Sequence, residues 1–324
     1  MRRRGRAGGR VRAALLTLFV AAVGVGVWLG AASGLSDPKL PPTAAVHAPP
    51  ALKHRAERIR PSPNAPPPGI QLIGGAEPVR VHFKHPPRAG LLFDVRTGQA
   101  LWSRRPLRRV PIASTTKIMT AILTVENTRP RERATVTHEA MNYEGSGVGV
   151  LRAKKRFPVE GLLAGMLLPS GNDAALALAG HIAGNNRRFA RMMNRRARSM
   201  SLGCTHYVSA DGIEKGNRSC AADLAALARV AIAKQRIARI VRHEQMHVPF
   251  PVKTGQVWLN STNPLLHLGY PGTIGLKTGY TDAAGHCFVG IVRRGSREYG
   301  VVLLGSPDTG RQAVRLLNAA FRLR

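Results

Sequence analysis

Three short patterns in this chain could together carry nucleophilic chemistry. Ser114, Thr115, Thr116 and Lys117 form a Ser-x-x-Lys at the expected start of a helix. Three residues is nearly one turn, so the ammonium lies beside the hydroxyl, where a lysine of lowered pKa can take the serine's proton and leave a nucleophile. The helix start also brings backbone N–H groups near the oxygen of the carbon under attack. A second Ser-x-x-Lys at Ser36 and Lys39 encloses Pro38, so no helix can align that pair. Ser170, Gly171 and Asn172 close the apolar run Leu162 to Leu168, and such a turn can aim a hydroxyl and an amide into a cleft, although by itself it is an ordinary helix-connecting turn. Asp173, next in line, is placed to cap the following helix. Lys277, Thr278 and Gly279 follow the apolar lead Ile274 to Leu276 and precede Tyr280 to Cys287. A strand presenting a lysine and a hydroxyl, then a glycine, suits a substrate carboxylate while the backbone closes on an acyl group. The rival copy Lys253, Thr254, Gly255 lies among Pro249, Pro251 and Gln256, which offer no matching context, although either copy could be a plain turn.

The elements that must hold these residues follow from the apolar periods. Gly90 to Trp102 predicts two strands around a turn at Arg96, Thr97 and Gly98. After Pro111 the period becomes helical, with Ile118, Ile122 and Val125 on one side of a run starting near Ala113. Val159 to Ile182, Arg187 to Met200 and Ala221 to Ala233 also predict helices. Strands return at Cys287 to Arg293 and Tyr299 to Leu304 around the turn Arg294, Gly295, Ser296, and a last amphipathic helix covers about Arg311 to Phe321. Strands at both ends with helices between imply one sheet assembled from distant parts of the chain. No internal repeat is present.

The N-terminal part has a different character. Residues 1–12 carry six arginines and form a basic n-region, and 13–34 an apolar segment that is either a cleaved export signal or a retained anchor. Residues 35–88 hold 13 of the 23 prolines and predict a linker, leaving 89–324 as the globular domain. The balance of 49 Lys and Arg against 17 Asp and Glu gives +32, spread over the whole chain, and predicts attraction to polyanions. At 44% apolar, the chain is not wholly disordered. With 5% aromatic residues, no nucleic-acid motif and an export address, a nucleic-acid binder is disfavoured. Cys204, Cys220 and Cys287 permit one disulfide, with Cys204 and Cys220 the nearer pair, but a chain of this size needs no staple and free buried thiols are the preferred expectation. No CxxC spacing supports a metal, and none is expected.

The three patterns occur in the order Ser-Lys, Ser-Asn, Lys-Thr-Gly, each with a chance expectation well below one per chain for the tripeptides. The set resembles the penicillin-recognising serine enzymes. Residues 93 to 120, FDVRTGQALWSRRPLRRVPIASTTKIMT, and 273 to 287, TIGLKTGYTDAAGHC, resemble the D-alanyl-D-alanine carboxypeptidases of the low-molecular-mass penicillin-binding group, as do LLPSGNDAALALA and DGIEKGNRSCAADLAALA. The likeness covers about Gly90 to Phe321. It implies an α/β (α+β) fold of the β-lactamase/transpeptidase type, an antiparallel sheet flanked by helices with a mainly helical subdomain that holds the middle motif.

The same resemblance implies roles. Ser114 would attack the bond between the terminal D-alanines of a peptidoglycan stem peptide, and water would clear the acyl-enzyme. Lys117 would be its general base, Ser170 and Asn172 would pass the proton to the leaving amine and hold the substrate amide, Lys277 and Thr278 would bind the terminal carboxylate, and the N–H groups of Ser114 and Tyr280 beside Gly279 would form the oxyanion hole. No cofactor is implied, and β-lactams would inhibit. The middle motif reads Ser-Gly-Asn where class A β-lactamases have Ser-Asp-Asn, and their deacylating glutamate has no counterpart, which predicts slow β-lactam turnover. Many relatives continue into a small β-rich domain and an amphipathic helix; here Arg324 directly follows the last predicted helix, so any anchoring is expected from the N-terminus, with the catalytic part outside the cytoplasm. A D,D-endopeptidase or a β-lactamase would use the same residues. A catalytically degenerate exported protein binding an anionic wall polymer or lipid would explain the charge without needing Ser114, Lys117 and Lys277 intact.

Overall fold

The computed structural model describes residues 69–72 and 77–323. The n-region, the apolar segment and most of the proline-rich stretch lie outside the described residues, and among those described no helix is long and apolar enough to cross a membrane. In chain order the elements are β1 Ala89–Asp94, β2 Ala100–Arg104, β3 Val110–Pro111, α1 Lys117–Asn127, β4 Arg133–Thr135, β5 Arg156–Pro158, α2 Val159–Leu167, α3 Asn172–Ala183, α4 Asn186–Ser199, β6 Arg218–Ser219, α5 Ala221–Ala233, α6 Gln235–Val241, β7 Gln245–Pro249, β8 Gln256–Asn260, α7 Pro264–His267, β9 Thr273–Thr281, β10 Gly285–Arg294, β11 Arg297–Ser306 and α8 Thr309–Phe321. A single turn of 3₁₀ helix, Ala113–Thr116, leads into α1.

Five strands form the main sheet in the order β2-β1-β11-β10-β9, each neighbour antiparallel. The hairpin at residues 89–104 and the β10–β11 hairpin therefore meet side by side, as expected for a sheet built from both ends of the domain. Alternate side chains enter two cores. Leu91, Phe93, Val289, Ile291, Val302 and Leu304 pack with the long helices, while Leu92, Phe288, Val301 and Leu303 pack with Leu316 and Leu317 of α8. Covering both faces explains why these strands read as nearly continuous apolar runs rather than alternating ones. The helices between β2 and β9 supply the larger core, with α2, α3, Phe189 and Met193 of α4, and α5 closely packed.

Three expectations need correction. Residues 77–88, assigned by proline content to the linker, belong to the folded body: Val79 is 3% exposed and its N–H bonds Leu101 O at 3.0 Å. Val79, Val81 and Phe83 alternate with polar residues, a strand-like period that Pro78, Pro86 and Pro87 mask. Cys204 and Cys220 are joined as a disulfide, with Cα atoms 5.6 Å apart. Reciprocal backbone bonds between His206 and Arg218, both under 3 Å, zip the two ends of this loop together and bring the thiols within bridging range. Cys287 is the free buried thiol that was expected. Finally, Asp173 lies inside α3 and does not cap it; its carboxylate accepts from the N–H groups of Val148, Gly149 and Ala174.

Candidate active site

Ser114 sits in the 3₁₀ turn and Lys117 at the first position of α1. In a 3₁₀ turn residues i and i+3 eclipse one another, so the pair is stacked more closely than an α-helical start would give. Lys117 Nζ donates to Ser114 Oγ at 2.7 Å, to Asn172 Oδ1 at 2.5 Å and to Asp211 O at 2.9 Å. Three acceptors match the three protons of an ammonium, so a fully buried lysine is completely satisfied. Burial still lowers its pKa from 10.5 to about 8, opposed by the charges of Asp211 and Asp173. Ala113, just before the serine, has φ +46°, a strained conformation of the kind stored at functional sites.

Leu168 to Gly171 break what would otherwise be one long helix into α2 and α3. Ser170 takes φ +66° and is 8% exposed, and Gly171 N bonds Gly165 O at 2.9 Å to hold the turn. The segment 144–146 fixes Asn172: its backbone N–H bonds Ser146 O at 2.7 Å and its Nδ2 donates to Glu144 O. With the amide nitrogen so committed, Oδ1 faces Lys117.

Strand β9 brings the third pattern. A Cβ on Gly279 would stand 2.9 Å from Ser114 N and 3.0 Å from Thr115 N, so only glycine lets this edge strand close on the serine turn. Lys277 is 1% exposed, and its one hydrogen bond among the described residues runs from Nζ to Thr278 O at 3.1 Å. Burial, reinforced by the charge of Lys117, holds its pKa well below the ordinary value. Thr278 Oγ1 bonds Thr262 Oγ1, and Thr262 N bonds Leu168 O at 3.1 Å. Tyr280 is 55% exposed and its ring lies 4.6 Å from that of His286.

All but Lys117 and Lys277 of the predicted residues line one cleft of about 460 Å³, with Ser146, Ile213 and Thr262 among its other walls. The two lysines are buried beneath it. The rival Lys253, Thr254 and Gly255 lie in the turn between β7 and β8, away from the cleft. Sequence reasoning missed Asp211, Glu144 and Thr262. Asp211 and Glu144 bond Lys117 and Asn172 through backbone carbonyls, which leave no mark on residue type, and Asp211 adds its charge from outside any of the three motifs. The hydroxyl of Thr262 follows β8 and carries no local pattern.

A serine nucleophile with a buried lysine partner, facing a strand that carries a second buried lysine beside an antiparallel sheet and a helical region, defines a serine acyl-transfer site. The family model for D-alanyl-D-alanine carboxypeptidase (peptidase S11) matches residues 79–308, and the chain belongs to that family. The chain is 28% identical to the D-alanyl-D-alanine carboxypeptidase DacF of Bacillus subtilis over 246 residues, 73% of this chain and 62% of the relative. It is 32% identical to the D-alanyl-D-alanine carboxypeptidase DacB2 of Mycobacterium tuberculosis over 247 residues, 74% of this chain and 83% of the relative. The crystal structure of a D-alanyl-D-alanine carboxypeptidase from Mycobacterium tuberculosis H37Rv superposes with a TM-score of 0.70 at 29% identity, covering 78% of this chain and 96% of that one.

Proposed function

We propose that this chain is a serine-type D-Ala-D-Ala carboxypeptidase that acts outside the cytoplasm, removes the terminal D-alanine from peptidoglycan stem pentapeptides through an acyl-enzyme, and is acylated by β-lactams. The observation that carries this reading is the Lys117 ammonium position, bonded at once to Ser114 Oγ, Asn172 Oδ1 and Asp211 O. When Lys117 is neutral, its two N–H bonds go to the oxygens of Asn172 and Asp211, which cannot donate. The lone pair then points at Ser114 Oγ, 2.7 Å away, much nearer than the hydroxyl's other acceptor, Asp211 O at 3.5 Å.

Ser114 Oγ attacks the carbonyl carbon, forming the C–O bond as its proton passes to Lys117. The N–H groups of Ser114 and Tyr280, on elements brought together at Gly279, receive the oxyanion. Collapse expels D-alanine, whose nitrogen takes a proton relayed from Lys117 through Ser170, while Asn172 holds the substrate amide. Water then cleaves the ester by the same route. Lys277 and Thr278 bind the terminal carboxylate, a role suited to a buried cation with one protein acceptor. Burial lowers the pKa of both lysines, and the Lys117 charge lowers that of Lys277 further, so a substrate carboxylate beside Lys277 would favour its charged form and leave Lys117 free to act as the base.

A degenerate, purely binding protein would have no reason to keep a buried lysine at 2.7 Å from Ser114 Oγ. The test incubates the protein with a pentapeptide ending in D-Ala-D-Ala and measures free D-alanine, with Ser114→Ala in parallel. Release that the substitution abolishes is the expected result. Release only from cross-linked muropeptide would make the chain a D,D-endopeptidase, and no release from folded protein that also fails to acylate with penicillin would refute the reading.

A further inference from the structure

Helix α4 has a composition unlike its neighbours. Across Asn186–Ser199 it carries six arginines and no acidic residue. One face is in the core through Phe189, Met193 and Ala197. Of the arginines, Arg196 pairs with Glu126 at 3.0 Å. Arg187, Arg188, Arg191, Arg195 and Arg198 are exposed, and among the described residues none of their guanidinium groups has a carboxylate or hydrogen-bond partner. At about 100° per residue these five project within an arc of roughly 100°, and they run for about 16 Å along the axis.

Five like charges along one helical face repel each other and contribute nothing to the fold, so their alignment calls for an external anion. Arginine rather than lysine favours forked bonding to phosphate oxygens. The row also discriminates between two kinds of anion. A bilayer ligand would favour apolar side chains that insert beside the cations, yet among the described residues the large exposed apolar side chains are Leu72, Leu107, Trp258, Leu268 and Tyr280, none of them on α4. Arg187, Arg191 and Arg195 recur every four residues, about 6 Å apart, as a line of charges does along a flexible chain with one phosphate per short polyol unit.

We infer that the exposed face of α4 is a docking strip for a linear phosphodiester-linked polyol polymer of the cell wall. The strip lies on a helix that contributes no residue to the catalytic cleft, so docking and turnover are separable. It would hold the enzyme at the wall while leaving Ser114 free to act.

The test measures binding of the full chain, in neutral detergent, to fluorescent poly(glycerol phosphate) at several salt concentrations. One variant carries Arg187→Gln, Arg191→Gln, Arg195→Gln and Arg198→Gln. A control removes the same charge from the exposed β4–β5 region as Arg131→Gln, Lys154→Gln, Lys155→Gln and Arg156→Gln. The α4 variant should bind at least about tenfold more weakly, with a shallower salt dependence, while the control stays within about threefold of the native chain. Both should acylate with fluorescent penicillin at the native rate, which certifies their folding. Equal losses in the two variants, or no loss in the α4 variant, would overturn the strip. Native protein that floats with phosphatidylglycerol vesicles but not phosphatidylcholine vesicles, ignores the polymer and loses flotation in the α4 variant would make a bilayer the occupant and overturn the polymer.

Discussion

In the proposed mechanism Lys117 decides when this site is reactive. A lysine at its ordinary pKa of 10.5 is neutral in roughly one molecule in three thousand at pH 7, whereas at about 8 the fraction is roughly one in ten, a gain of about 300-fold in competent base. The shift comes from burial, which removes water from the charged form, and it survives the opposing pull of Asp211 and Asp173. The sign follows directly: the base is the deprotonated form, so acylation must rise with pH and level off once Lys117 is neutral. The second-order rate of acylation by benzylpenicillin should climb about tenfold per pH unit below pH 7 and bend to a plateau near pH 8. Lys117→Arg, which cannot lose its proton in this range, should abolish the climb and reduce the rate at pH 8 by at least about a thousandfold. A native profile flat from pH 6 to 9 would mean that a different group takes the proton.

At the scale of elements, the site depends on β9 closing against the 3₁₀ turn, and Gly279 is where they touch. A methyl group there would lie 2.9 Å from Ser114 N and 3.0 Å from Thr115 N, both backbone atoms that cannot swing aside. Gly279→Ala should therefore push the strand edge off the oxyanion N–H groups and slow acylation by at least about a hundredfold, while the melting temperature drops by only a few degrees because β9 is an edge strand. Stopped-flow penicillin acylation and calorimetry on the same sample check both halves. The motifs and their supporting strands and helices were legible because side-chain identity and apolar period encode them. The joints were not. The 3₁₀ start before Lys117, the left-handed Ser170 and the internal position of Asp173 are set by contacts between separate segments, such as Asn172 N with Ser146 O and Asp173 with residues 148–149. The Cys204–Cys220 bridge was open in sequence for the same reason, since the backbone bonds that join its loop form only in the folded chain.

At the scale of the molecule, the segment before β1 works as a strap across the edge of the sheet farthest from the active site. Glu77 accepts from Ser103 N at 2.8 Å, Val79 N bonds Leu101 O, and Trp102 Nε1 donates to Val81 O at 3.2 Å, so the strap runs along β2. Phe83 meets Trp102 edge-on at 5.9 Å, and Gln312 Nε2 on α8 donates to His85 O at 2.7 Å, tying the strap to the helix that covers the second core. A bare β2 would expose unpaired backbone groups and the flank of that core. A chain beginning at Ala89 loses these bonds and the burial of Val79 with parts of Val81 and Phe83, together on the order of 4 kcal/mol, whereas one beginning at Gly69 keeps them. For a domain of this size the shorter chain should melt about 8–16 °C below the longer one. Because β2 and β9 are opposite edges of the sheet, both chains should acylate with penicillin at similar rates at 15 °C, well below either melting point. Equal melting temperatures would return residues 77–88 to the status of a linker, and a loss of acylation at 15 °C in the shorter chain would show that the far edge of the sheet helps to set the geometry at Ser114.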